Sequence, residues 1–297
     1  MHTNIDIGGL KIFCNYLEYP IDQEFDPFLI DKSLSKPDIT WRIIKINSNM
    51  YSGMLPNKRL QQCLKEATVV GIPFMRSKIL YSIQFQNYLF FSKSYCKMLT
   101  IEINENSISI FDFKKNVAIF FLSENFKNNN IIGSLMLSVF APSFSSILLH
   151  TSAIVRNNKA ILFLAPDEGG KTTAAKLSKN FILCDDQILV RQTSEGFIAC
   201  GTPWGLYTAN MRVPLGAICI LEKSCTCSLQ EISIGECYKY IFNEHKNQIE
   251  LMPHFQQEKM RYMIAHMCIS TPLFKLSFTK DEIQLNEIDK IIQQRRY

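Results

Sequence analysis

Several features that would assign a protein class at once are missing from this sequence of 297 residues. It has no internal repeat, no low-complexity segment and no block of basic residues, and its formal net charge is only +5. Nucleic-acid-binding domains usually carry a concentrated basic patch. The mild charge therefore favours a small anionic ligand and no nucleic acid. The opening residues Met1–Asn4 lack the charged start and apolar run of a signal peptide.

Cysteine spacing provides no common metal-binding motif. The ten cysteines include no C-x-x-C pair, and no histidine lies at zinc-finger spacing. Cys184, Cys200 and Cys219 fall in apolar patterns typical of strands, where a free cysteine acts as a small buried hydrophobe. Cys225 and Cys227 form either a redox or metal pair or two bystander thiols in a turn, and the turn is the simpler interpretation. We therefore expect a protein of the reducing cytoplasm.

One long stretch contains no charged residue. Residues 131–155 include no Asp, Glu, Lys or Arg and are numerous enough to cross a bilayer. Gly133, Pro142 and several serines interrupt this stretch, and a proline disfavours helix at the residue before it. We therefore expect a buried helix over about 131–140, a turn at 141–143, then a helical turn that leads into a buried strand. No membrane association is predicted.

The first part of the chain, 1–125, reads as a β-rich domain that is mostly antiparallel. β-Branched and aromatic residues predict strands at 39–46, 79–85, 88–91, 98–103, 107–113 and 117–122. The asparagines of 104–106 are typical of a hairpin turn. We find no catalytic constellation here, so this domain supports the rest of the chain, docks a substrate or is a plain scaffold. A polar stretch at 123–130 marks the boundary.

The second domain, 126–297, mixes strands with helices. Strands are predicted at 151–156, 159–164, 181–186, 188–192, 197–200, 213–222, 228–233 and 272–278. Helices are predicted at 171–179, from an N-cap at Ser233 toward Asn243, at 256–267 and at 281–294. The predicted fold class is therefore α/β (α+β), with a β-rich N-terminal domain followed by a mixed-sheet domain.

A loop between a predicted strand and a predicted helix has the composition of a phosphate-binding loop. Its residues are Ala165, Pro166, Asp167, Glu168, Gly169, Gly170, Lys171, Thr172 and Thr173. Helix N-terminal N–H groups attract phosphate, a lysine adds a full positive charge, and a hydroxyl beside it binds Mg²⁺. The usual motif is G-x-x-x-x-G-K-[ST]. Here alanine takes the first glycine position and two carboxylates enter the loop, so a plain strand–turn–helix connection is the alternative.

Candidate catalytic residues lie on both sides of this loop. Asp185 and Asp186 end a predicted strand, where carboxylates hold Mg²⁺ on phosphates or accept a proton from an attacking hydroxyl. Neighbouring strand residues face opposite sides, so both serve only where the strand ends or twists; an ordinary turn is the alternative. His150 either joins these groups or is a core residue. Trp204 and Arg212 either contact substrate or are a packed aromatic and a surface arginine.

Together these motifs resemble the HPr kinase/phosphorylase-related family, whose nucleotide fold is similar to that of phosphoenolpyruvate carboxykinases. The resemblance covers about 131–278 and is carried, in order, by LLHTSAIVRNNKAILFLAPDEGGKTT, ILCDD, GTPWG and MRVPLGAICILE. It implies a P-loop domain that uses ATP and Mg²⁺ to phosphorylate a hydroxyl group. It also implies that 165–173 is the phosphate loop and that Lys171 reaches the β and γ phosphates.

The resemblance further implies roles for the remaining candidates. Thr172 and Asp186 would hold Mg²⁺, one member of the aspartate pair would be the base, and His150 would join the site. The HPr kinases have glycine where Ala165 and Glu168 stand, and a second acidic metal-side residue and a long downstream signature have no counterpart here. HPr itself is therefore not the expected acceptor.

Relatives with the GTPW loop commonly accompany peptide or small-molecule biosynthesis genes, which suggests a hydroxyl-bearing peptide or metabolite as acceptor. Two other functions stay open. The acidic residues Asp167 and Glu168 favour a nucleotide-binding pseudokinase or partner protein, whereas retention of Lys171, Thr172 and both aspartates favours a kinase. A scaffold that binds no nucleotide is the third interpretation. A homo-oligomer is compatible with all of them.

Overall fold

The computed structural model describes residues 2–16, 23–30, 36–46, 81–85, 88–95, 98–103, 107–123 and 129–294. These residues form two mixed β-sheets and six α-helices. The chain divides into two compact units: Met1–Phe140 with Asn247–Gln257, and Ala141–Lys246 with Glu258–Tyr297. The predicted mixed α/β class with a β-rich N-terminal part is confirmed. The domain division between 125 and 126 stays a prediction.

The first unit contains an eight-stranded sheet. Its strands are β1 His2–Ile7, β2 Leu10–Tyr16, β3 Ile39–Ile46, β4 Tyr81–Phe85, β5 Tyr88–Tyr95, β6 Met98–Ile103, β7 Ser107–Asp112 and β8 Val117–Ser123. They lie in the order β1-β2-β3-β8-β7-β6-β5-β4. Only β3 pairs in parallel, with β2 and with β8, among these described strands. The predicted meander is confirmed, while its predicted turns at 86–87 and 104–106 lie outside the described residues.

Aromatic side chains pack the interior of this unit. A 3-10 helix spans Gln23–Phe28, and helix α1 spans Asn129–Phe140. The ring of Phe140 meets those of Phe111 and Phe113 edge-on, at centroid distances of 5.8 and 5.3 Å. Such pairs contribute about 0.5–1.5 kcal/mol beyond the apolar area they bury. Phe140 is fully buried, which confirms the buried helix predicted at the start of the charge-free stretch.

The rest of the charge-free stretch is not a single span. A 3-10 helix at Ala141–Phe144 is followed by two strands, β9 Ser146–His150 and β10 Ser152–Arg156. Strand β9 is a correction, because the sequence predicted only a helical turn ahead of the strand that contains Ser152. Within the part of the chain that the structure describes, no helix is both long and apolar enough to cross a membrane.

The second unit contains a nine-stranded sheet. Besides β9 and β10, its strands are β11 Lys159–Leu164, β12 Phe181–Cys184, β13 Gln187–Thr193, β14 Gly196–Cys200, β15 Arg212–Lys223, β16 Ser228–Glu231 and β17 Leu273–Phe278. The main path runs β12-β10-β11-β15-β14-β13-β9, and β17 pairs with β15 and β16. The long strand β15 is parallel to β11 and β17 but antiparallel to β14, which makes the sheet mixed.

The other helices are α2 Lys171–Leu177, α3 Ile234–Glu244, α4 Lys246–Leu251, α5 His254–Ser270 and α6 Asn286–Gln294. The Ser233 hydroxyl accepts a hydrogen bond from Glu236 N at 3.2 Å, which confirms the predicted N-cap. Helix α6 begins five residues later than predicted. The residues before it form a turn in which Thr279 N donates to Glu282 O at 3.0 Å and Thr279 Oγ1 accepts from Glu282 N at 3.0 Å. Helix α4 was not predicted.

Parallel pairing in the second unit brings two strand ends to one edge of the sheet. Asn157 and Asn158 turn the β10–β11 hairpin with φ of 50° and 58°, a left-handed conformation that asparagine tolerates well. Strand β11 then runs beside β15, so both carboxyl ends lie at the same edge. Apolar residues of these strands are fully buried: Ile161, Phe163, Ala217 and Cys219. In open α/β sheets, ligands bind outside the carboxyl ends of parallel strands.

An ion pair ties helix α6 to the β10–β11 hairpin and offers a stability test. Arg156 Nε donates to Asp289 Oδ2 at 2.8 Å, its Nη2 donates to the same oxygen at 2.7 Å, and both side chains are mostly buried. Asp289→Ala should lower the free energy of unfolding by about 1–3 kcal/mol, because it removes the charged acceptor of the Arg156 guanidinium and leaves the neutral Asn286 Oδ1 at 2.9 Å in its place. Asp281→Ala, at a site 78% exposed, is the control and should change it by less than about 0.5 kcal/mol. Equal effects of the two variants in urea unfolding would contradict this role.

Candidate functional site

The loop between β11 and α2 is a tight turn that depends on its two glycines. Gly169 N donates to Pro166 O at 2.9 Å. A Cβ on Gly169 would lie 2.7 Å from the Cβ of Ala165, and one on Gly170 would lie 2.8 Å from the ring of Phe278. Gly170 also has a φ of 94°, which glycine adopts at little cost. The predicted glycines are therefore required by contact and by conformation.

Lys171 lies on the inner side of this loop. It is the first residue of α2 and only 8% exposed, and its Nζ donates to Ala165 O at 2.9 Å and to Pro166 O at 3.2 Å. Desolvation by burial lowers the pKa of Lys171, and the negative charges of Asp167 and Asp186 oppose this shift. The buried ammonium group is thus held by two carbonyl oxygens, with the exposed Asp167 carboxylate 3.9 Å away, a setting that favours an anionic partner.

Thr172 lies next to the first aspartate of the predicted pair. Its Oγ1 donates to Asp185 Oδ2 at 3.3 Å, and the other oxygen, Oδ1, accepts from Tyr207 N at 3.1 Å. Asp185 is only 5% exposed. Two donors from separate segments therefore orient this carboxylate toward the beginning of α2.

The second aspartate pairs with the predicted histidine. Asp186 Oδ1 lies 3.1 Å from His150 Nε2, and Asp167 Oδ1 lies 3.6 Å from the same nitrogen. His150 ends β9, which pairs with β13 so that His150 is opposite Gln187. Both His150 and Asp186 remain partly exposed, at 33% and 44%. Strand pairing, rather than closeness in sequence, brings the histidine to the aspartates.

The two aspartates reach the same site with different partners because the strand ends before them. Strand β12 stops at Cys184, two residues earlier than predicted. Thr151 N donates to Asp186 O at 2.9 Å and Tyr207 N donates to the Asp185 carboxylate, so both residues are held in a bend. The condition stated from sequence, that both aspartates serve one site only where the strand ends, is met by this geometry.

Sequence reasoning missed three residues of the site. Lys223, the last residue of β15, donates from Nζ to Glu168 O at 2.7 Å. Gly205 has a φ of 130°, and a Cβ there would collide with the Asp185 carboxylate. Tyr207 supplies the N–H described above. Only Lys223 had a signal: it ends a strand, and a strand parallel to β11 would bring its carboxyl end to the loop that follows β11.

The remaining sequence candidates lie apart from these contacts. Trp204 is 3% exposed and its carbonyl accepts from Cys184 Sγ at 2.9 Å, in agreement with a packed loop aromatic. Thr173 lies exposed on α2, and Arg212 is exposed at the beginning of β15. Across the residues that the structure describes, no group of three or more His, Cys, Asp or Glu side chains is arranged to hold a metal ion.

Glu168 adopts a backbone conformation that suits glycine, which gives a test of the loop. Its φ is 60°, and a residue with a Cβ pays about 1–2 kcal/mol there. Glu168→Gly and Glu168→Ala remove the same carboxylate, but only the glycine variant relieves this conformation. We therefore expect Glu168→Gly to be about 1 kcal/mol more stable than Glu168→Ala in denaturant unfolding. An alanine variant as stable as the glycine variant would show that the left-handed conformation carries no cost.

Comparison with known proteins gives no match from which a function could be transferred to this site. No known protein-family model matches this chain, and no curated protein matches it. The likeness to HPr-kinase relatives therefore rests on the motif residues quoted above. A function is therefore argued from the side chains that lie together at the carboxyl edge of the β11–β15 pair.

Proposed function

We propose that this protein is an ATP- and Mg²⁺-dependent kinase that transfers the γ-phosphate to a serine or another hydroxyl of a peptide, protein or small metabolite. One observation carries the proposal. Thr172 meets Asp185, His150 meets Asp186, and Asp167 lies 3.9 Å from Lys171, so three different segments bring these groups together. Phosphoryl transfer needs little more than positioning and charge neutralisation, and these are the groups that supply both.

The loop and Lys171 would hold the phosphates. The first N–H groups of a helix have no acceptor within the helix, so α2 presents donors together with the positive end of its dipole. Lys171 Nζ has two carbonyl partners, which it would exchange for phosphate oxygens when the nucleotide binds. Because a neighbouring anion favours the charged lysine, binding would also strengthen its protonation.

Thr172 and Asp185 fit a magnesium ion on those phosphates. Mg²⁺ is commonly held by one or two carboxylates together with phosphate oxygens, and in P-loop enzymes by the loop hydroxyl and a strand-end aspartate. The Thr172–Asp185 contact has that composition. Bound there, the ion would neutralise charge on the phosphates. The sequence assigned Asp186 to the metal, whereas the distances favour Asp185 for that role.

Asp186 is then the base that receives the acceptor proton. It is 44% exposed, so an acceptor hydroxyl has access to it, and His150 Nε2 orients its carboxylate by a hydrogen bond. The hydroxyl proton passes to Asp186, and the hydroxyl oxygen forms a bond to the γ-phosphorus. The bond from that phosphorus to the bridging oxygen breaks, and ADP leaves with the electron pair.

A nucleotide-binding protein without turnover is the second candidate, and Asp167 favours it. Its Oδ1 lies 3.6 Å from His150 Nε2 and 3.9 Å from Lys171 Nζ. The carboxylate thus lies near the same two nitrogen groups that a γ-phosphate would need. Such a carboxylate repels a phosphate unless it turns away, and its side chain is 74% exposed and has room to turn.

Removal of Lys171 tests nucleotide binding. At a ligand concentration of one hundred times Kd, Mg-ATP should raise the free energy of unfolding of the native protein by about 2.7 kcal/mol. Lys171→Ala should abolish most of this increase, because the buried cation is lost. Lys280→Ala, at a side chain 90% exposed, is the matched control and should keep it. Each variant is compared with its own ligand-free unfolding curve. An undiminished increase in Lys171→Ala would contradict the assigned role.

The two aspartates should separate binding from turnover. Asp185→Asn should weaken nucleotide binding in the presence of Mg²⁺ while leaving binding in EDTA unchanged. Asp186→Asn should retain the Mg-ATP Kd and lower phosphoryl transfer about 10²–10⁴-fold, the usual contribution of a general base. Calorimetric titration and labelled-ATP turnover measure the two effects. The opposite pattern would exchange the two roles, and a native protein that binds Mg-ATP with no transfer to any acceptor would favour the pseudokinase.

A further inference from the structure

An uncharged loop lies beside the aspartate pair; its Tyr207 N–H orients Asp185, but its side chains are not assigned to the proposed phosphate site. Residues 201–211 contain no Asp, Glu, Lys, Arg or His. Two large apolar side chains at its tip are exposed, Leu206 at 84% and Tyr207 at 39%. Single exposed apolar residues are common on protein surfaces. Here two exposed apolar side chains are adjacent in the chain and lie beside the carboxylates of the site, which suggests that they bind a ligand.

Hydrogen bonds hold the backbone of this loop at several points. Gly201 N donates to Met211 O at 3.0 Å, which closes the base of the loop. Thr202 Oγ1 donates to Gln187 O at 2.6 Å, and Trp204 O accepts from Cys184 Sγ at 2.9 Å. The exposed tip is therefore held on a fixed backbone. A fixed surface binds with less loss of conformational entropy than a flexible one.

The tip adjoins the aspartates directly. A Cβ on Gly205 would lie 3.3 Å from the Cβ of Asp186, and Tyr207 N donates to Asp185 Oδ1 at 3.1 Å. Leu206 lies between these two contacts in the chain. Leu206 and Tyr207 therefore lie where they can contact the part of an acceptor that adjoins a hydroxyl at Asp186.

One charged side chain, that of Lys176, lies next to the loop tip. Lys176 Nζ lies 5.6 Å from the centre of the Tyr207 ring, within the range of a cation–π contact. The lysine engages the aromatic ring, while the Leu206 side chain is left in solvent. A small charged metabolite would need convergent charged or polar groups at this point. The loop offers an uncharged leucine and tyrosine instead.

We propose that the 201–211 loop recognises the acceptor and that the acceptor is a peptide segment with an apolar side chain next to the phosphorylated serine. This inference rests on the proposed kinase function. Leu206 and Tyr207 would cover the apolar neighbour while the serine hydroxyl meets Asp186. Burial of a side chain of that size accounts for about a tenfold or greater preference over a polar neighbour.

The test compares two synthetic peptides that differ only beside one serine, with leucines in one and glutamines in the other. Binding is measured by fluorescence anisotropy with and without Mg-ADP, and phosphoryl transfer from Mg-ATP is measured as kcat/KM. The native protein should prefer the leucine peptide by tenfold or more. Leu206→Ser should remove most of that preference and leave the Mg-ATP Kd unchanged, because the Leu206 side chain is 84% exposed and the substitution keeps the backbone N–H group.

Matched controls come from helix α5, where Ile269 and Tyr262 are exposed to 63% and 61%. Ile269→Ser and Tyr262→Ser should keep the preference for the leucine peptide. Three results would overturn the inference: the native protein uses both peptides equally, the loop variant retains the preference, or phosphoryl transfer occurs to a small alcohol but to neither peptide. Mg-ATP binding without peptide binding would contradict this inference but not the proposed kinase function. Peptide binding without Mg-ATP binding would support recognition of the peptide by the 201–211 loop but contradict the proposed kinase function.

Discussion

The site depends on the divergence of two neighbouring carboxylates at the end of β12. Asp185 is turned toward Thr172 by the Tyr207 N–H, and Asp186 is turned toward His150. An uninterrupted strand would send one of the two to the opposite face of the sheet. Because the strand stops at Cys184, a buried carboxylate and an accessible one serve the same edge with different surroundings. Such a difference is what separate metal and base roles require.

Local contacts hold the 165–173 loop, whose composition departs from the usual phosphate-loop motif. Glu168 occupies a left-handed conformation, and the amine of Lys223 binds its carbonyl oxygen. Lys171 binds two further carbonyls of the same loop from the inside. Two lysines from different segments thus hold a loop that lacks the first glycine of the usual motif. The Asp167 and Glu168 side chains are exposed, and the Asp167 carboxylate lies 3.9 Å from Lys171 Nζ.

Local sequence signals predicted most of the second unit. The asparagine turn of β10–β11, the glycine loop before α2 and the Ser233 N-cap depend on residues close in the chain, and all three are found. Strand β9 was missed because Ser146–His150 is a short apolar run without alternation, and periodicity does not distinguish such a strand from a helical turn. Helix α4 was missed for a similar reason, since its six residues are too few to show a helical period.

The sequence by itself determined which chemical groups are available: a lysine and a hydroxyl after a glycine loop, two carboxylates at a strand end, and a histidine upstream. Tertiary structure alone decided which of them meet. Pairing of β9 with β13 brings His150 to Asp186, and parallel pairing of β11 with β15 brings Lys223 to the loop. Sheet register joins residues far apart in the chain through backbone hydrogen bonds, which no local pattern of side chains specifies.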